Sequence, residues 1–111
     1  MVDMDRLRVL AIVVALAAGP RVLLAADKGD VSKGKAVFQQ CSVCHRADSD
    51  EKKIGPGLKG LFKKAKLADG KKVTEANVRA KVEGGGNGMP AYKDMLTDGE
   101  KNNLIAYLKT L

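Results

Sequence analysis

Apolar residues along this chain recur at helical spacing, and no segment alternates apolar and polar residues at period two. The clearest stripe lies at the C-terminus, where Leu104, Tyr107, Leu108 and Leu111 stand at i, i+3, i+4 and i+7. Thr97-Asp98-Gly99-Glu100 precedes it as a T-x-x-E capping box, so a helix opens there. Upstream, Thr74 is placed to cap a helix from Glu75 to Glu83, with Val78 and Val82 on one face. Leu58, Leu61 and Phe62 give a shorter helical group at i, i+3, i+4. Ser32 is expected to cap a first helix reaching Gln40, with Val37 and Phe38 as its apolar residues, and this helix leads straight into Cys41. The intervals are loop material. Arg46 to Lys53 is charged and poor in apolar residues; Gly55-Pro56-Gly57 is a turn, because the residue before a proline is kept out of helix. Lys63 to Lys72 is a basic connector around Asp69-Gly70, and Gly84 to Gly88 holds four glycines in five positions. The pattern predicts an all-α fold of several short helices, with no internal repeat.

The N-terminal stretch reads differently. Arg6 and Arg8 precede an apolar run from Val9 to Ala18, and Ala25-Ala26 offers a small-residue cleavage point before Asp27. Asp3 and Asp5 dilute the positive start, Leu24 is bulky for its place, and Gly19-Pro20-Arg21 interrupts the run. The uninterrupted apolar run is about half of the roughly 20 residues a spanning helix needs. Residues 1–26 are therefore expected to be a cleaved signal peptide rather than an anchor, with residues 27–111 as one small domain in the periplasm. No cysteine stands near the cut to carry a lipid.

The chemistry is concentrated in one place. Both cysteines and the only histidine fall within Cys41-Ser42-Val43-Cys44-His45, the C-x-x-C-H attachment signature of c-type haem. Two thiols can add across the porphyrin vinyl groups, and the histidine then serves as an axial iron ligand. A zinc site normally has four protein ligands, and this chain offers three. A thioredoxin-type redox couple would sit near a βαβ pattern, which is missing. A plain disulfide is open to an exported chain. Composition favours the haem. The domain holds two Phe, two Tyr and no Trp, a thin supply for a core that at this size needs a staple. One large apolar cofactor among Leu, Val and Met would complete it. A second axial ligand is then sought, and a soft thioether suits an electron carrier because it raises the potential. Met89, between the glycine run and Pro90, can approach a haem face without a bulky Cβ in the way; Met95 has no such setting. The alternative for either is ordinary core filling.

Cys41-Ser42-Val43-Cys44-His45, Gly55-Pro56-Gly57-Leu58, Gly88-Met89-Pro90-Ala91-Tyr92 and a last helix with Leu104, Tyr107 and Leu108 follow one another in this order. Over residues 32–111 this resembles a class I monohaem cytochrome c, with the short His45-to-Met89 interval of small bacterial members. The resemblance implies the cytochrome c fold. It implies that Gly34 and Phe38 cross the last helix near Tyr107, and that the Pro56 carbonyl accepts the ring N–H of His45. It implies a haem pocket walled by Leu58 and Phe62. Two departures stand out: the long glycine run predicts a methionine loop more mobile than in typical members, and without Trp a haem propionate must turn to Tyr92 or a lysine.

Charge adds a surface reading. The chain carries 20 Lys and Arg against 13 Asp and Glu. Lys52, Lys53, Lys59, Lys63, Lys64, Lys66, Lys71 and Lys72 crowd one stretch with Asp69 and little else to offset them. This is either a solvated face or a docking patch for an acidic redox partner. Nucleic acid is disfavoured, since the stretch has no Arg and no groove-reading motif. The expected function is one-electron Fe(III)/Fe(II) shuttling between exported or membrane-bound redox partners by a monomeric carrier that is not an enzyme. A cytochrome subunit held permanently by a dehydrogenase or oxidase is the alternative. A haem enzyme or gas sensor with an open sixth position ranks below both.

Overall fold

A computed structural model describes residues 28–111; the expected signal peptide, residues 1–26, lies outside the described residues. Three α-helices and one 3-10 helix carry the fold: α1 (Val31–Phe38), the 3-10 helix (Leu61–Lys63), α2 (Glu75–Gly84) and α3 (Asp98–Leu108). No strand forms among the described residues, which hold two isolated bridges, Lys66 with Lys72 and Gly86 with Met89.

The first helix starts earlier than its composition suggested. Asp30, not Ser32, is the N-cap; its carboxylate accepts the Lys33 N–H at 2.9 Å from an extended backbone. A charged cap oxygen also favours the positive end of the helix, which a hydroxyl does not, and Ser32 falls inside the first turn. The helix ends at Phe38 rather than Gln40, yet the chain keeps coiling. Cys41 and Ser42 donate to the Phe38 carbonyl at 2.8 and 3.0 Å, and the His45 N–H donates to Cys41 at 2.9 Å. The pentapeptide is thus a run of turns grown from the end of α1. At the other terminus both halves of the capping box are made, Thr97 N–H to Glu100 Oε1 at 3.0 Å and Glu100 N–H to Thr97 Oγ1 at 3.1 Å.

α1 crosses α3 closely. A Cβ at Gly34 would overlap the Asn103 carbonyl and come within 2.8 Å of the Tyr107 Cβ, so the missing side chain is what permits the crossing. Phe38 packs on Tyr107 with ring centroids 5.3 Å apart and planes tilted by 50°, and the Asp30 N–H donates to Asn103 Oδ1 at 2.7 Å. α2 reaches α3 by polar contacts as well, Arg79 to Asn102 and Glu75 to Lys109. Phe38, Leu61, Val78, Val82, Leu104 and Leu108, most of the buried apolar set, belong to one packed cluster, and each also presents a face to open space. They line a cavity. The core is a shell.

Candidate haem site

The cavity measures about 590 Å³, within the roughly 300–1,000 Å³ span of cofactor and small-molecule sites. The pocket is partly open, so without an occupant its largely apolar walls would face water. The shell therefore calls for a large apolar occupant. Its edge carries the expected chemistry: Cys41, Cys44, His45, Pro56, Leu58, Met89 and Tyr92 all line the cavity.

His45 is held on two sides. Its Nδ1 lies 2.8 Å from the Pro56 carbonyl, so Nδ1 carries the proton it donates and Nε2 keeps a free lone pair. Gly55 lies against the ring, where a Cβ would sit 2.5 Å from Cε1 and 2.9 Å from Nδ1. The Gly55 N–H in turn donates to the Cys44 carbonyl at 2.8 Å, and the Leu58 N–H to Arg46 at 2.7 Å. The Gly-Pro-Gly turn is thereby folded back onto the motif it serves.

Both cysteines are free thiols and half-buried. Burial pushes the Cys41 thiol above its ordinary value, and Cys44 close by adds to the rise. Burial likewise raises the Tyr92 phenol, with smaller contributions from Cys41 and Cys44, which places this ring beside the attachment point. The zinc alternative gains nothing: among the described residues no three of His, Cys, Asp or Glu gather to hold a metal ion.

The methionine loop has a defined form: the segment is a two-residue hairpin. Gly86 and Met89 exchange backbone hydrogen bonds at 3.0 and 3.1 Å. Asn87 and Gly88 between them have φ of 53° and 89°, the positive values a type I′ turn requires. The chain then returns along α2, Tyr92 N–H to the Val82 carbonyl at 2.9 Å and Lys93 N–H to Glu83 at 3.2 Å. The glycines supply turn geometry. Met95 lies outside the cavity and is 63% exposed, whereas Met89 lines it.

The wall differs from what the family resemblance implied. Phe62 packs against the core but does not line the cavity; Leu58 and Leu61 do. Leu58 precedes the 3-10 helix, and Gly60 between them has a φ of 68°, so no continuous helix carries Leu58 and Phe62 on one face. Sequence reasoning also passed over Gly55 as a support for the imidazole, treating it as turn material, and over Lys101, which is buried.

The residues present fit a covalently held haem: paired thiols, an imidazole with a free Nε2, a thioether and an apolar shell on one cavity. Comparison with known proteins agrees. The cytochrome c family model matches residues 31–111. The chain is 32% identical to cytochrome c2 of Rhodospirillum rubrum, over 76% of this chain and 99% of that one. It is 32% identical to cytochrome c-550 of Nitrobacter winogradskyi, over 72% and 89% respectively. Its fold is similar to that of cytochrome c6 from the diatom Phaeodactylum tricornutum, with a TM-score of 0.59 and 30% identity over 74% of this chain and 93% of that one. The chain belongs to the cytochrome c family, as a class I member with one covalently bound haem c, and is an electron-transfer protein rather than an enzyme.

Proposed function

We propose that the protein is an exported, monomeric one-electron carrier whose haem iron is held axially by His45 and Met89 and linked through Cys41 and Cys44. The observation that carries this reading is that both cysteines, His45 and Met89 line one apolar cavity. The haem supplies the Fe(III)/Fe(II) couple. The protein supplies the setting. Pro56, by accepting the Nδ1 proton, fixes the ring and makes Nε2 a stronger donor. The Met89 sulfur favours the reduced state, and the shell of Leu61, Val82, Leu104 and Leu108 disfavours the extra positive charge of the oxidised one. Leu58 and Tyr92 close the pocket, with Tyr92 or a lysine of the cavity lining available to a propionate. With both axial positions held by the protein in each state, little has to rearrange when an electron passes.

Lys52, Lys64 and Lys66 line the cavity, and the lysines from 52 to 72 are all solvent-exposed. They suit an acidic redox partner that docks over this opening, with an on-rate that falls as salt rises. Residues 1–26 direct the chain to the periplasm and are removed. No helix among the described residues is long and apolar enough to cross a membrane.

The test is spectroscopic. The oxidised holoprotein should show the weak Fe(III)–thioether charge-transfer band, and the reduced protein should resist CO. Met89→Ala should abolish the band, lower the potential and admit CO. An unchanged potential with unchanged CO reactivity would remove Met89 from the iron.

A further inference from the structure

Lys101 occupies a position where α3 needs an apolar residue. It stands three, four and seven residues before Leu104, Ile105 and Leu108, on the stripe that faces the core, and it is 5% exposed. Lysines are almost never this buried unless partnered. Its ammonium donates to the Lys93 carbonyl at 2.8 Å and lies 3.6 Å from Glu83 Oε2 and 3.8 Å from Asp98 Oδ1. Asp98 is open to solvent, whereas Glu83 is largely covered.

These partners have a common location. Glu83 is the penultimate residue of α2, where the chain leaves to form the Gly86–Met89 hairpin. Lys93 is where it comes back, its N–H donating to the Glu83 carbonyl at 3.2 Å. The two sides of the loop's base are therefore joined to each other by two backbone bonds, Tyr92 to Val82 and Lys93 to Glu83, and to α3 by the Lys101 ammonium. α3 is itself fixed against α1, which delivers the pentapeptide. Lys101 thus connects the rigid half of the cavity to the loop that bears the thioether.

We propose that Lys101 is a positioning residue for Met89, a charged clamp that holds the methionine loop at its base. This rests on Met89 as the axial ligand. A neutral hydrophobic residue in the same slot would fill the space but could not hold both the carbonyl of Lys93 and the carboxylate of Glu83. Losing the clamp lets the loop open more often, and an opened loop leaves the sixth position to any competing ligand.

The test uses the oxidised holoprotein and imidazole as the competing ligand. Lys101→Met keeps the apolar stem and removes the donor and the charge. It should tighten apparent imidazole binding by about tenfold, the scale of one lost charge-assisted hydrogen bond, and should bleach the thioether charge-transfer band at a lower temperature. Glu83→Gln leaves the Lys93 contact in place and should move both readouts the same way by less; it carries the test if the lysine variant does not accumulate. Ile105→Val, buried on the same helix but away from the cavity, serves as the control for simple loss of stability. Should both charge variants bind imidazole no better than Ile105→Val, the clamp is refuted and Lys101 is only a buried charge. If the unaltered protein lacks the thioether band altogether, the ligation reading falls instead, and the clamp falls with it.

Discussion

The two sides of the cavity are built on opposite principles. The His45 side is made of bonds and bulk. Cys41 and Cys44 tie it to the cofactor, Gly55 lies flat on the imidazole, and the Pro56 carbonyl fixes the ring from within eleven residues of sequence. The Met89 side has no covalent tie. It is a hairpin with positive φ at Asn87 and Gly88, held to α2 by two backbone hydrogen bonds and to α3 by one ammonium. Hydrogen bonds of this kind contribute about 1 kcal/mol each, more when one partner is charged. The Met89 side should therefore yield first to heat, denaturant or a competing ligand, while the His45 side persists until the domain unfolds.

The strongest challenge to this contrast is to cut the tie. Cys41→Ala combined with Cys44→Ala should leave little folded protein, because most of the buried apolar residues line the cavity and lose packing partners without its occupant. Circular dichroism should show no cooperative thermal transition. A stable chain with a sharp transition would mean that the shell can collapse without its occupant.

A paired substitution then weighs one side against the other. Gly55→Ala puts a methyl group into the His45 ring, and overpacking of this kind costs roughly 1–3 kcal/mol. Gly85→Ala, at φ 63° and with Pro90 backbone atoms 2.7 Å from the added Cβ, strains the Met89 side to a similar degree. The two should separate by readout. Gly85→Ala should admit CO to the reduced protein while leaving the unfolding midpoint only modestly lowered. Gly55→Ala should reduce the yield of holoprotein and the midpoint without opening the sixth position. Equal CO reactivity in the two variants would show that the sides are alike in strength.

The same contrast decides how much was legible beforehand. The start of α3 and its core-facing Leu104 and Leu108 could be read because their signals are local, a capping box and apolar residues at helical spacing; its end at Leu108, short of Leu111, could not. The attachment motif is local too. What escaped depends on partners far away in the chain. Lys101 looks like one more surface lysine until Glu83 and Lys93 are brought beside it. The glycine run reads as a loop of no particular form until Gly86 and Met89 are seen to exchange hydrogen bonds. The Asn87-Gly88 pair is the signal that could have been used, since it is the preferred dipeptide of a type I′ hairpin. Phe62 as a wall residue followed from family resemblance, and the turn at Gly60, with a φ of 68°, brings Leu61 to the cavity in its place. The Pro56 contact to His45 followed from family resemblance, and nothing in the spacing alone required it.

The smallest expected effect tests whether the His45 side is supported beyond the site itself. α1 delivers Cys41, and its N-terminus is secured by the Asp30 carboxylate on the Lys33 N–H, with the Asp30 N–H on Asn103 of α3. Asp30→Ala removes the cap and keeps the backbone contact to Asn103. It should lower stability by about 1 kcal/mol, the usual worth of such a cap, and Ser32→Ala should cost only a fraction of that. Neither should change imidazole affinity or the thioether band, because fraying the first turn of α1 leaves Gly34, Phe38 and Tyr107 in contact one turn further on. A thermal melt of each holoprotein, followed at the haem absorbance and by circular dichroism, measures both. A larger loss from Ser32→Ala would return the cap to the serine. Looser iron ligation in Asp30→Ala would mean that strain at the far end of α1 reaches the Met89 loop, and that the two sides of the cavity are less independent than their construction implies.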